Sequence, residues 1–409
     1  MGFLRRQVIT AALTANAIRP APGFELGPAA FAAGWLTSDL APHLLALTAA
    51  DAATHSTRRR RDPLGLMLAG ASSAGLAYLI KQSRDVRIRA EDALVEGLGV
   101  DYVEQLDAKP TPADLAVPWR RLVYPFRMRD QRVRVEKDVV YNAEYGGRGK
   151  LDIYLPAERR AEGAPVLLQI HGGGWTIGTK DQQGLPLMNH LAAKGWICVA
   201  PNYRLSPRNR WPAHIVDVKR SIAWIRDNIA AYGGDPDYIA ITGGSAGGHL
   251  AALAAVTPND REWQPGFEEA DTSIQAAIPV YGGYDLAGST GTRASTRLRD
   301  RFVGPRIFRA SFAKNPDVFE AASPILRVTP DAPDFFVLHG VRDTLFPVDQ
   351  ARKFVARLRE VSKRTVVYAE FPGTQHAFDV FMSIRSAHVV RAIDRYLHWH
   401  WNGYRRERS

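Results

Sequence analysis

An apolar run, Ile239-Ala240-Ile241-Thr242, leads straight into Gly243-Gly244-Ser245-Ala246-Gly247-Gly248, and a helix-compatible stretch from His249 to Val256 follows at once. Strand, sharp turn and helix in that order leave few architectures open. A serine at the tip of such a turn takes a strained backbone conformation, and the residues two before and two after it come too close for a Cβ. Gly243 and Gly247 meet that demand. A bare G-x-S-x-G arises by chance in about one chain in ten of this size, so the strand before and the helix after give the motif its weight.

The rest of the chain agrees with a strand placed in this way. Strand-like segments occur at 133–141, 151–155, 166–170, 197–200, 239–242, 276–281, 335–339 and 366–371. Amphipathic helical stretches such as 213–231 and 348–361 separate the later ones. The alternation predicts an α/β fold, a mostly parallel eight-stranded sheet flanked by helices. The expected organisation is an N-terminal helical region over 1–113, a proline-marked linker over 114–132, a catalytic domain over 133–402 and a basic tail over 403–409. Apolar residues at 46% and charged residues at 23% fit a globular chain with one large core.

A second glycine cluster, His171-Gly172-Gly173-Gly174-Trp175, follows the apolar run Val166 to Ile170. Consecutive glycines can aim backbone N–H groups into a cavity where negative charge develops on a carbonyl oxygen. Gly173, Gly174 and Ala246 are the expected donors of such an oxyanion hole. The run has neither the Lys-Ser/Thr ending of a phosphate loop nor a G-x-G-x-x-G pattern.

A serine hydroxyl needs a base, and the base an orienting carboxylate. Asp343 follows the apolar run 335–339, and His376 lies in the loop after the last predicted strand. The order Ser, Asp, His is the one that accompanies a serine on such a turn. The other acids nearby, Asp331, Asp334 and Asp349, read as caps or surface charges. His171, His249 and His339 read as structural, and His398 and His400 as surface residues. No metal-ligand spacing and no cofactor motif is present, so neither is expected. Trp175, Phe346 and Phe378 are candidate walls of the substrate pocket.

The net charge of +11 comes mainly from arginines, dense at 58–61, 120–134 and 405–408. Without a base-reading helix or stacking module, nucleic acid is not an expected partner; an anionic membrane surface suits the charge better. Arg5-Arg6 and the short apolar stretch 8–13 imitate a signal peptide weakly. The stretch 27–53 contains Asp39, Pro42, His43 and Asp51, and so predicts packed or interfacial helices. The stretch 64–80 barely reaches spanning length. Its small residues Ala69, Ser73 and Ala77, four apart, predict close helix packing, and both a buried cap helix and membrane docking stay open. Cytoplasmic and cell-envelope locations stay open with them. The single cysteine, Cys198, is expected inside a strand.

In combination, His171-Gly-Gly-Gly-Trp175, Asn202-Tyr-Arg-Leu-Ser-Pro207, Tyr232-Gly-Gly-Asp235, Gly243-Gly-Ser-Ala-Gly-Gly-His249 and Tyr281-Gly-Gly-Tyr-Asp285 resemble the hormone-sensitive-lipase-type branch of α/β-hydrolases. The likeness is closest to mycobacterial Lip-type carboxylesterases. That resemblance implies hydrolysis of small-molecule or lipid carboxylic esters through an acyl-serine, with the N-terminal helices covering the site. The sequence departs from the pattern at Gly244, where members commonly have Asp, and at Asp343-Thr344-Leu345, where they have Asp-Pro-Leu. An amide hydrolase of the arylformamidase type is the alternative chemistry, and a non-catalytic membrane-docking protein the alternative class.

Overall fold

The computed structural model describes residues 1–21, 25–57, 62–158 and 163–408; the arginine run at 58–61 therefore lies outside the described residues. Eight strands form one sheet: β1 (Val133–Val140), β2 (Lys150–Pro156), β3 (Ala164–Ile170), β4 (Ile197–Pro201), β5 (Gly234–Gly244), β6 (Ala276–Val280), β7 (Asp334–Gly340) and β8 (Val366–Phe371). Their order is β1-β2-β4-β3-β5-β6-β7-β8. Strand β2 runs antiparallel to both neighbours, and every pair from β4 to β8 is parallel.

The central strands are apolar on both faces, as strands covered by helices on each side require. In β3, Val166, Leu168 and Ile170 join one core while Leu167 joins the other; in β7, Phe335 and Val337 oppose Phe336 and Leu338 in the same way. Each such side chain contributes about 1.5–3 kcal/mol on burial. Cys198 is fully buried in β4.

Four helices precede the sheet: α1 (Phe3–Ile18), α2 (Gly27–Asp39), α3 (Ala41–Ser56) and α4 (Pro63–Leu98). Helix α4 starts where Asp62 caps it, accepting from the Gly65 N–H at 3.0 Å with Pro63 in the first turn. It stops at Gly99, whose φ of 94° no longer continues a helix. At 36 residues it is far longer than the apolar stretch that announces it. Its buried residues, Gly65, Ala69, Ser72, Leu76, Leu79, Ser83, Val86, Ala90 and Ala93, recur alternately four and three apart, the spacing of a seam that faces a partner. This corrects the expected row: Ala69 is on the seam, but strict four-residue spacing drifts around the helix, so Ser73 is half-buried and Ala77 exposed.

Val86, Ala90, Ala93 and Leu94 sit in the same core as β7, β8 and the last helix. Arg6 and Gln7 of α1 both bond Asp51 of α3, and Phe3 stacks on His55 at 3.8 Å. The remaining long helices are α5 (Leu185–Ala192), α6 (Ala213–Asn228), α7 (Ala246–Val256), α8 (Asp349–Val361) and α9 (Ile384–Arg408). The basic end, Arg405, Arg406 and Arg408, continues α9 rather than leaving it as a tail. His398 and His400 are half-buried and partnered rather than free on the surface: His398 bonds Asp394, and His400 lies 3.0 Å from Asp334 and 2.9 Å from the Tyr238 hydroxyl.

Candidate active site

Ser245 stands between β5 and α7 with φ 60° and ψ −122°, a conformation that costs a non-glycine residue about 1–3 kcal/mol. The turn is held by its neighbours. The Ser245 N–H donates to Val280 O at 3.0 Å, and Ser245 O accepts from His249 N at 3.0 Å. A Cβ on Gly243 would come within 2.6 Å of Gly247 and of Ile170 O, and one on Gly247 would run into the Ile170 carbonyl. The glycine demand read from the sequence is therefore a steric one.

The structure brings Asp343 and His376 together beside this turn. The His376 Nδ1–H donates to Asp343 Oδ2 at 2.6 Å, which leaves Nε2 as the acceptor of the neutral ring. That Nε2 has no hydrogen-bond partner among the described residues, and the ring borders the same cavity as Ser245. The other oxygen of Asp343 accepts the N–H groups of Leu345 and Phe346, each at 2.8 Å. Burial pushes the Asp343 carboxyl up, but the charge and hydrogen bonds of His376 and His339 outweigh it and hold the group well below the usual carboxylate range. Gln375 ties the two loops together, its Oε1 accepting from Thr344 N and His376 N, each at 2.9 Å.

The turn 172–174 faces the serine from the end of β3. Gly172 N donates to Gln183 Oε1 at 2.7 Å. Gly173 and Gly174 take φ values of 117° and 58°, and both border the cavity. Trp175 Nε1 donates to His249 Nδ1 at 3.2 Å, and His249 Nε2 bonds Ala322 O at 2.8 Å. Burial pushes this histidine down to about 4, so it is neutral, and its pair of bonds fixes the tryptophan behind the turn.

The cavity, about 520 Å³, is bordered by Ser245, His376, the glycine turn, Trp175, Thr176, Phe346 and Phe302. Phe378, expected among its walls, is elsewhere. Ala377 takes φ 63°, and Phe378 lies in the core against Tyr281 at 4.9 Å and Phe371 at 5.6 Å. Sequence reasoning missed Pro28, Phe31 and Trp35 of α2, which border the cavity from the N-terminal side; the Phe31 ring meets the His376 ring edge-on at 5.6 Å. The signal was present: two aromatics four apart in a helix otherwise rich in Ala and Gly share one face. Tyr281 was missed too. Its ring lies 4.5 Å from His376, and its hydroxyl donates to the half-buried Asp379. A Cβ at Gly244 would meet that hydroxyl at 2.5 Å, which explains the departure from Asp at this position.

A parallel sheet in this strand order, entered through an antiparallel β2 and carrying a strained serine between β5 and the helix after it, is the α/β-hydrolase fold. The BD-FAE family model matches residues 151–358. The chain is 43% identical to the probable carboxylic ester hydrolase LipM of Mycobacterium tuberculosis, over 97% of this chain and 93% of that one. It is 37% identical to the esterase LipC of the same organism, over 87% and 91%. Among solved structures, a truncated carbohydrate esterase from gut microbiota superimposes with a TM-score of 0.54 at 25% identity, covering 65% of this chain and 96% of that one. The chain belongs to the BD-FAE family and, within the α/β-hydrolases, is a Lip-type carboxylic ester hydrolase.

Proposed function

We propose that Ser245 is the nucleophile, His376 its base and Asp343 the residue that orients the base. The carrying observation is the His376 Nδ1–H bond to buried Asp343 at 2.6 Å, with Nε2 left unpartnered beside the Ser245 cavity. His376 Nε2 takes the Ser245 hydroxyl proton as Oγ bonds the ester carbonyl carbon. The C–O bond then breaks, the alcohol leaves with that proton, and an acyl-serine remains. Water repeats the sequence against the acyl-serine, releasing the acid and the free serine. The N–H groups of Gly173, Gly174 and Ala246 receive the oxyanion, each worth about 2.7–4 kcal/mol in the transition state. Trp175 and Phe346, with Phe31, Trp35 and Phe302, hold the acyl chain in an apolar pocket.

Esters are the preferred substrates over anilides. Parallel assays with a matched short-chain ester and formanilide test this, with faster turnover of the ester expected; faster turnover of the formanilide assigns the site to amide hydrolysis instead.

The N-terminal region also meets a membrane surface. Helix α4 is long and apolar enough to cross a bilayer by length and composition, yet its seam is occupied by α1 and α3. Contact at the surface therefore suits this region better than a crossing by α4. Co-sedimentation of the full chain with lipid vesicles checks this, with the protein expected in the vesicle pellet.

A further inference from the structure

The segment between α4 and β1 carries large apolar side chains that are exposed at the surface. Trp119, Val123, Tyr124 and Phe126 are exposed, the last three at 60%, 68% and 63%. Large apolar residues exposed this close together along one segment mark an interaction surface. Their backbone is held on several sides. Leu122 O accepts from His43 Nε2 of α3 at 2.8 Å, Pro125 O from Met382 N at 3.0 Å, and Ala116 O from Arg391 of α9. Arg127 N closes a turn on Tyr124 O at 2.9 Å, with Pro125 buried and Phe126 projecting. A firmly seated turn is thus spending its tip on exposed aromatic and aliphatic groups.

Charge surrounds this tip. Arg120, Arg127 and Arg129 are exposed and make no ion pair among the described residues, whereas Arg121 and Arg132 both pair with Asp130. Apolar and aromatic tips interleaved with unpaired arginines match one occupant, the interface of an anionic bilayer, where rings sit at headgroup depth and guanidinium groups meet phosphates. The tip is also tied to the active site. The Phe126 ring lies 5.0 Å from Phe381, which lies 5.4 Å from Trp35, a wall of the catalytic cavity.

We propose that residues 119–129 form the docking element of this chain on an anionic lipid bilayer, seating the acyl cavity beside the lipid from which an ester substrate is drawn. The proposal rests on the membrane reading above and commits it to this turn rather than to α4.

The test is co-sedimentation of the full chain with vesicles of phosphatidylcholine alone, or of phosphatidylcholine and phosphatidylglycerol in equal parts, at low and high salt. Three variants are compared: Val123→Ser with Tyr124→Ser, Arg127→Glu with Arg129→Glu, and Leu64→Ser with Met67→Ser on the exposed face of α4. Turnover of a water-soluble ester confirms that each is folded. The expected result is salt-sensitive binding to the anionic vesicles, weakened about tenfold or more in the first two variants and kept in the third. Loss only in the α4 variant overturns the proposal and leaves the membrane reading standing. Equal binding to neutral vesicles overturns the role of the arginines. No binding by the unaltered chain overturns both.

Discussion

The rim at the C-terminal ends of β3, β5, β7 and β8 and the helix α2 above it border one cavity, but they are built by opposite means. On the rim, backbone geometry decides everything: a serine at φ 60°, glycines with no room for a Cβ, and a carboxylate saturated by two N–H groups and an imidazole. In α2, small residues allow close packing while Pro28, Phe31 and Trp35 reach the site. It is held by side-chain ties: Gly27 O accepts from the Thr344 hydroxyl at 3.0 Å, Ala30 O accepts from Asn16 Nδ2 at 2.9 Å, and Asp39 pairs with buried Arg385. The proposed mechanism thus puts reaction chemistry where the chain cannot vary its backbone, and substrate fit where it can vary a side chain.

That contrast predicts graded consequences. Ser245→Ala should lower turnover of a soluble ester by on the order of 10⁶-fold, with thermal unfolding little changed, since alanine keeps the Cβ and the backbone of the turn and removes no core contact. Asp343→Asn should lower kcat by roughly 10⁴-fold. Because the folded Asp343 carboxyl is held below its unfolded value, its stabilisation is present above about pH 4 and is lost as pH falls toward the folded value. Thermal melts of the wild type and the asparagine variant should therefore converge on acidification; a gap that widens as pH falls would contradict the assignment.

Gly244→Asp probes the rim without touching a reacting group. The new side chain must displace Tyr281 from Asp379, and we expect a loss of about 1–3 kcal/mol in denaturant unfolding. Trp35→Ala, on the cap, should leave kcat/KM for an acetate ester nearly unchanged and lower it about tenfold for longer acyl chains. A uniform loss across the series would erase the distinction between rim and cap.

The same contrast governs what could be read before the fold was known. Gly243, Gly247 and the 172–174 turn were legible because backbone constraints leave a residue type that nothing else can replace. The central strands were legible for a related reason, since buried strands must be apolar, whereas the edge strand β1 showed itself by alternation. Asp343 and His376 were reachable through chain order and strand-end position. Side-chain walls were not: Phe378 turns away because Ala377 takes a left-handed φ, which no local pattern announces. Nor was the length of α4, whose second half is polar on one face and packs across the sheet on the other. Gly244 looked like a departure until the Tyr281 hydroxyl was found in the space its side chain would need.

The most direct measurement is covalent labelling of the folded chain with a fluorophosphonate, followed by peptide mapping. The nucleophile assignment predicts one adduct, on the peptide containing Ser245, formed in the wild type and absent from Ser245→Ala. An adduct on another residue, or labelling that persists in Ser245→Ala, would contradict it.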